Sequence, residues 1–227
     1  RRSPVFIGQS TLREDIVHYI APHYANTLEL LAGLQAFEQA TRGAEPLIRA
    51  GAIAFAFVYI HPMRDGNGRI HRFLINDSLM RDLQHAHTMI LPLSATITQS
   101  MDFRLRYEQA LESFSRPFMQ RYANDYRFGK AQTYDDQAQS NLVFDQYQDA
   151  LFAWRYPDLT QQVMFTAQLI AHTVQHEMVE EARLLVIFQH AREQLKQVLE
   201  MPDQDANRII RSLRENGWVL SGNNIPN

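Results

Sequence analysis

Through most of the chain apolar residues recur every three to four positions, the spacing of one buried helical face. Only the start reads differently. Val5-Phe6-Ile7 and Val17-His18-Tyr19-Ile20 are short β-type runs separated by polar residues 8–15, which predicts a hairpin over 4–20 closed by Pro22. From about 26 to 41, Leu28, Leu31, Leu34, Ala36 and Phe37 give a helix that Arg42-Gly43 stops. Pro46 suits a first helical turn, and 47–60 is apolar nearly all round, the mark of a buried helix. That helix should end at His61-Pro62, because a residue before proline disfavours the α region. Residues 69–82 predict the next helix, with Phe73, Leu74, Ile75, Leu79 and Met80 as its apolar positions.

The second half continues in the same rhythm. Residues 85–92 read as a connection with His85 and His87 exposed, and helices are expected at about 95–114, 117–127, 138–154, 159–176 and 178–200. Residues 129–137 look like a linker, and Phe144, Tyr147, Phe152 and Trp154 like core. A helix over 203–215, a glycine cap at Gly217 and a strand from Trp218 close the chain. The predicted fold class is all-α with one small hairpin. Residues 1–128 form the first domain, and 129–227 a helical region that is winged-helix-like from about 178.

Bulk properties narrow the function. At 227 residues and 45% hydrophobic, the chain can bury a substantial core. A net charge of −3 gives no global basic field for nucleic acid. With no cysteine there is no disulfide scaffold, cysteine zinc site or thiol nucleophile, and a reducing cytoplasm is the expected compartment. The longest apolar run, residues 50–60, is far short of the roughly 20 residues of a membrane span, so no membrane partner is expected. No signal peptide is visible after Arg1-Arg2-Ser3-Pro4, and both ends read as cut from a longer protein.

The chemistry concentrates in His61-Pro62-Met63-Arg64-Asp65-Gly66-Asn67-Gly68-Arg69-Ile70-His71-Arg72. Gly66, Asn67 and Gly68 tolerate positive φ, so their N–H groups can converge on an anion. The turn opens a helix, whose N-terminal N–H groups add to that attraction for phosphate. Arg69 and Arg72, three apart, would share one helix face, with Asn76 on the same stripe. Two forked guanidinium groups suit triphosphate oxygens. Asp65 could hold a Mg²⁺ ion that also takes phosphate oxygens. His61, with an ordinary pKa near 6.5, can accept a hydroxyl proton at neutral pH. His71 should point elsewhere and be solvated.

Rival motifs do not fit. There is no G-x-x-x-x-G-K-S/T phosphate loop. Arg64-Asp65 lacks the preceding histidine of a kinase catalytic loop, and no Asp-Phe-Gly follows. A calcium loop begun at Asp65 would put Arg69, Ile70 and Asn76 at its fifth, sixth and twelfth positions, all unsuitable.

The run resembles the Fic family signature, His-Pro-Phe-x-Asp/Glu-Gly-Asn-Gly-Arg-x-x-Arg, departing only at Met63, an apolar substitute expected to be buried. The resemblance covers roughly residues 4–120. It implies a mainly helical Fic fold with an active-site loop at 61–68 and a target-binding flap in the hairpin, through Ile7, Gly8, Gln9, Val17, His18 and Tyr19. It further implies Mg²⁺-dependent transfer of AMP from ATP to a Ser, Thr or Tyr hydroxyl of a target protein, self-modification included. His61 would be the base, Asp65 the metal ligand, and Gly66, Asn67 and Gly68 the anion hole. Arg69 and Arg72 would bind the β- and γ-phosphates, with Asn76 beside them. The Gly68-Arg69 pair favours AMP transfer over Doc-like phosphotransfer, while removal of AMP stays open.

Many Fic proteins are silenced by an inhibitory helix, Ser/Thr-x-x-x-Glu-Gly/Asn, whose glutamate pairs with the second arginine, here Arg72. No clean match exists, so such a helix or antitoxin is expected upstream, on another chain, or not at all. A homodimer stays open. At the C-terminus, Arg208, Arg211 and Arg214 recur every three residues, as on the last helix of a winged helix. The alternative of another class is therefore a DNA-binding regulator with a nucleotide-sensing Fic core. His172 and His176, followed by Glu177, read as a surface helix, because no third metal ligand accompanies them.

Overall fold

The computed structural model describes residues 1–10, 15–83, 90–179, 187, 190–195 and 201–215. The elements run β1 (Phe6–Ser10), β2 (Asp15–Ile20), α1 (Thr27–Ala40), α2 (Pro46–Ile60), α3 (Asn67–Asp82), α4 (Leu93–Gln99) and α5 (Met101–Arg121). They continue as β3 (Tyr126–Thr133), β4 (Gln139–Phe144), α6 (Tyr147–Arg155), α7 (Thr160–His172) and α8 (Asp203–Glu215). Helix dominates, and the described strands form two antiparallel hairpins, β1-β2 and β3-β4. The all-α expectation holds. No described helix is long and apolar enough to cross a membrane.

Two compact units divide the chain, Arg1–Thr173 and Val174–Asn227. In the second, α8 covers the span its periodicity predicts, burying Ala206 and Ile210 and exposing Arg208 and Arg211. The predicted Gly217 cap, the Trp218 strand, the Arg214 side chain, His85, His87 and most of the predicted 178–200 helix lie outside the described residues.

The first unit is built around α2. Pro46 supplies its first turn, and Ala50, Gly51, Ile53, Ala54, Phe55, Tyr59 and Ile60 are buried as α1, α3 and α7 pack against it. Gly51 permits the closest approach: a Cβ there would lie 3.1 Å from both Thr166 Oγ1 and Val163 Cα of α7. Polar groups fasten the same interfaces. Arg49, 2% exposed, donates to Asp82 of α3 at 2.6 Å, to the Glu38 carbonyl at 2.8 Å, and to the Thr41 hydroxyl. Gln162 Nε2 donates to the Tyr59 hydroxyl (2.8 Å), the Ala110 carbonyl (3.0 Å) and Ser113 Oγ (2.9 Å), joining α2, α5 and α7.

Several expectations are corrected. Instead of helices at 95–114 and 117–127, α4 is short and α5 runs unbroken through Pro117. Proline removes one helical N–H donor, but Phe114 and Phe118 pack against Tyr19 on either side of that point and hold the helix together. The predicted linker and the start of the predicted 138–154 helix form the β3-β4 hairpin. Leu142 and Phe144 alternate inward there, a period of two that was read as helical. Phe152 is 71% exposed rather than core, whereas Phe144 and Trp154 are buried as expected.

His71 is fully buried, not solvated, because α3 turns Asn67, His71, Ile75, Ser78 and Leu79 inward as one stripe. Its ring lies edge-on to Phe55 with centroids 4.5 Å apart. Met63 is exposed, not a buried gap-filler.

Candidate active site

The last turn of α2 hands the chain to the loop through His61, which adopts the left-handed conformation (φ 49°, ψ 55°) as the helix C-cap. A non-glycine residue pays roughly 1–2 kcal/mol there, so its surroundings must hold it. Its Nδ1 lies 3.3 Å from the Val58 carbonyl oxygen. A carbonyl only accepts, so Nδ1 carries the proton in the neutral ring and Nε2 keeps its lone pair. Burial pushes the His61 pKa down; the Val58 bond opposes this, and the nearby Arg1 charge reinforces it. The ring is therefore more readily neutral than an ordinary histidine, and able to take a proton at neutral pH.

The loop itself is closed by Asn67. Its Oδ1 accepts from Met63 N at 3.0 Å and its Nδ2 donates to Met63 O at 2.8 Å. Its side chain thus shapes the turn rather than facing a ligand. Gly66 is the N-cap of α3 at φ 89°, a conformation open to glycine. Its carbonyl accepts from Arg69 N and Ile70 N, both at 3.0 Å, so Asn67 and Gly68 contribute the first helical N–H groups, which have no partner inside the helix.

Both arginines fold back over this turn. A Cβ on Gly66 would lie 3.3 Å from Arg69 Nη2, and one on Gly68 3.5 Å from Arg72 Nη1. Helical side chains lean toward the N-terminus, which is why Arg69 and Arg72 reach the glycines three and four positions before them. Arg69 pairs with Asp65 at 2.9 Å, both side chains well exposed. Arg72 Nε donates to Ser94 Oγ of α4 at 2.7 Å. Among the described residues no carboxylate forms an ion pair with Arg72.

Asn76 is differently engaged. Its Oδ1 accepts from Leu91 N at 2.8 Å and its Nδ2 donates to Leu91 O at 3.2 Å, so its amide holds the segment that enters α4.

Residues 3–79 match the Fic/DOC family, a span that contains the flap, α1, α2, the loop and most of α3. The matched stretch is Fic/DOC-like. The chain is also similar to a Caenorhabditis briggsae protein named protein adenylyltransferase fic-1, 34% identical over 83 residues. That stretch is 36% of this chain and 15% of the relative's length.

The β1-β2 hairpin, the candidate flap, stands beside His61. Ile7, Gln9, His18 and Tyr19 line a cavity of about 430 Å³ together with His61, Tyr59 and, from α5, Glu108 and Glu112. Gly8 pairs with Val17 just after a register shift, and a Cβ at Gly8 would lie 2.2 Å from Ile16 O, so a side chain there would break the flap. Asp65 offers one exposed carboxylate, and no group of three or more His, Cys, Asp or Glu suited to a metal exists among the described residues. That donor set fits magnesium bound chiefly through phosphate oxygens, which needs only one or two carboxylates. It does not fit a metal enclosed by protein ligands.

Sequence reasoning missed three participants. Ser94 holds Arg72 from α4. Arg1 touches the end of α2. Asp136, in the β3-β4 turn, accepts from Arg2 N (2.7 Å) and Ser3 Oγ (3.1 Å), while its carbonyl accepts from Arg64 of the loop (3.1 Å). Each contact spans more than twenty positions, and no local pattern marks it.

Proposed function

We propose that this protein is a Fic-type enzyme that transfers AMP from ATP to a hydroxyl side chain of a target protein, its own chain included, with magnesium as cofactor. One observation carries the reading. His61, its Nδ1 3.3 Å from the Val58 carbonyl oxygen, lines the flap cavity, while the glycine turn that follows it in the chain is overhung by two guanidinium groups. The 34% identity to a protein adenylyltransferase over the matched stretch supports the same direction.

The flap strands would hold an extended target segment by main-chain pairing and bring its hydroxyl to His61. His61 Nε2 takes the hydroxyl proton as the oxygen attacks the α-phosphorus. The bond from that phosphorus to the bridging oxygen breaks, and pyrophosphate leaves. The N–H groups of Asn67 and Gly68 face charge on the phosphate chain. Arg69 and Arg72 are placed to bind the leaving phosphates. Asp65 would hold the magnesium ion, which supplies charge neutralisation across those phosphates. Arg69 must release Asp65 for this, exchanging an exposed ion pair worth about 0–1 kcal/mol for phosphate contacts.

Incubation of the protein and a cell extract with ATP labelled at either the α- or the γ-phosphate tests the reading. Protein-bound label from the α position alone supports AMP transfer. Label from the γ position alone would make it a phosphotransferase, and label from neither would leave a nucleotide sensor.

A further inference from the structure

The C-terminal turn of a helix leaves carbonyl groups without partners, and in α2 each one leading to His61 is satisfied. His61 N donates to Phe57 O at 3.1 Å and His61 Nδ1 to Val58 O at 3.3 Å. The Tyr19 hydroxyl donates to Tyr59 O at 2.6 Å. The last two carbonyls fall to one side chain: Arg1 Nη2 reaches Ile60 O at 3.5 Å, and Arg1 Nε reaches His61 O at 2.8 Å. The same guanidinium donates to Pro22 O at 2.6 Å and Ser3 O at 3.1 Å. A part-buried cation thus ties the segment entering β1, the stretch just after β2 and the end of α2 around the proposed base.

We propose that Arg1 is a positioning residue for His61: by gripping the His61 carbonyl it fixes the left-handed backbone that aims the imidazole. The proposal rests on His61 being the base. The helix end carries partial negative charge, which a part-buried guanidinium complements. Only a planar fork can meet four carbonyls in different directions, so lysine is no equivalent. Asp136 secures the strap by holding Arg2 N and Ser3 Oγ on its carboxylate. The cationic guanidinium also favours the neutral imidazole, in line with the lowered His61 pKa.

The other ionisable groups lining the His61 cavity are His18 and Tyr19 of β2, Tyr59 of α2, and Glu108 and Glu112 of α5. All of them, like Arg64 and Asp65 of the loop, stay unchanged in the comparison that follows.

The test is histidine-selective NMR of the full chain, wild type against Arg1→Gln and Arg1→Lys, with steady-state kinetics alongside. In wild type His61 should titrate below 6.5 and hold its proton on Nδ1. Arg1→Gln should raise the midpoint and mix the tautomers. It should also lower kcat roughly 10- to 100-fold, the scale of a ~1 Å misplacement, while KM for ATP stays within about twofold. Arg1→Lys should keep the midpoint near wild type yet still mix the tautomers and lose kcat. Unchanged tautomer and midpoint in Arg1→Gln would overturn the proposal, as would kcat and KM changing together. Should Arg1→Gln fail to fold, Arg1→Lys decides, and wild-type behaviour there overturns it. The NMR arm needs no turnover, so it reads positioning separately from whether His61 is the base.

Discussion

Arg72 is the residue on which the proposed phosphate site can be argued from position alone. Its Nη1 overhangs Gly68 and its Nε is steadied by Ser94, so the guanidinium is already held over the anion turn. Charge-assisted hydrogen bonds contribute about 1.5–3 kcal/mol each, so Arg72→Ala should weaken ATP binding by roughly 10- to 100-fold. Isothermal titration calorimetry measures this, and an unchanged affinity would remove Arg72 from the phosphate site. The residue types were legible because the chemistry is local: a base, an acid, a glycine turn and two arginines lie within twelve positions. What each side chain does was less legible. Asn76 read as a ligand contact, yet its amide is engaged with the Leu91 backbone, and Asn67, read for its backbone N–H, turns out to close the loop with its side chain on Met63. An asparagine that shapes a turn and one that binds phosphate carry the same letter.

The loop keeps its shape because the helices on either side of it are locked together. Arg49 bridges α1, α2 and α3 from a buried position, with Asp82 18% and Glu38 20% exposed. Removing one partner of a buried ion pair leaves the others uncompensated, at a cost of about 3–5 kcal/mol. Arg49→Leu should therefore lower unfolding free energy by that order in a urea titration; a loss below ~1 kcal/mol would show that the network is not what joins these helices. Sequence patterning predicted α1, α2 and α3 well, because their apolar faces are long and regular. It failed at Pro117 and at the second hairpin. Packing of Phe114 and Phe118 against Tyr19 overrides the proline, and residues 138–144 are too short for their period of two to stand out from a helical one.

At the scale of the whole molecule, the centre of the first unit holds an uncharged histidine. Burial, reinforced by Arg72, pushes the His71 pKa down to about 3 from an ordinary 6.5. The folded state then refuses a proton that the unfolded chain accepts. His71 costs nothing above pH 6.5, and stability falls as pH drops from 6.5 toward 3, by up to about 1.4 kcal/mol per pH unit. His61, whose pKa is also lowered, adds a slope of the same sign. Thermal unfolding across this range should show a shallower decline for His71→Leu than for wild type; parallel curves would mean that His71 is not held neutral.

The sequence singled out His61 as the candidate base and residues 66–68 as the candidate phosphate turn. It could not show that a strap at residues 1–3 and a turn at 136 close around them, since those contacts exist only once the chain has folded.

The central claim is that His61 performs the proton transfer on a nucleotide held by other residues. It is tested most directly by measuring α-phosphate label transfer and ATP affinity in the same preparation of His61→Ala. Transfer should vanish while affinity stays within about threefold of wild type, because His61 is assigned no ATP contact in the ground state. Undiminished transfer in His61→Ala would contradict it.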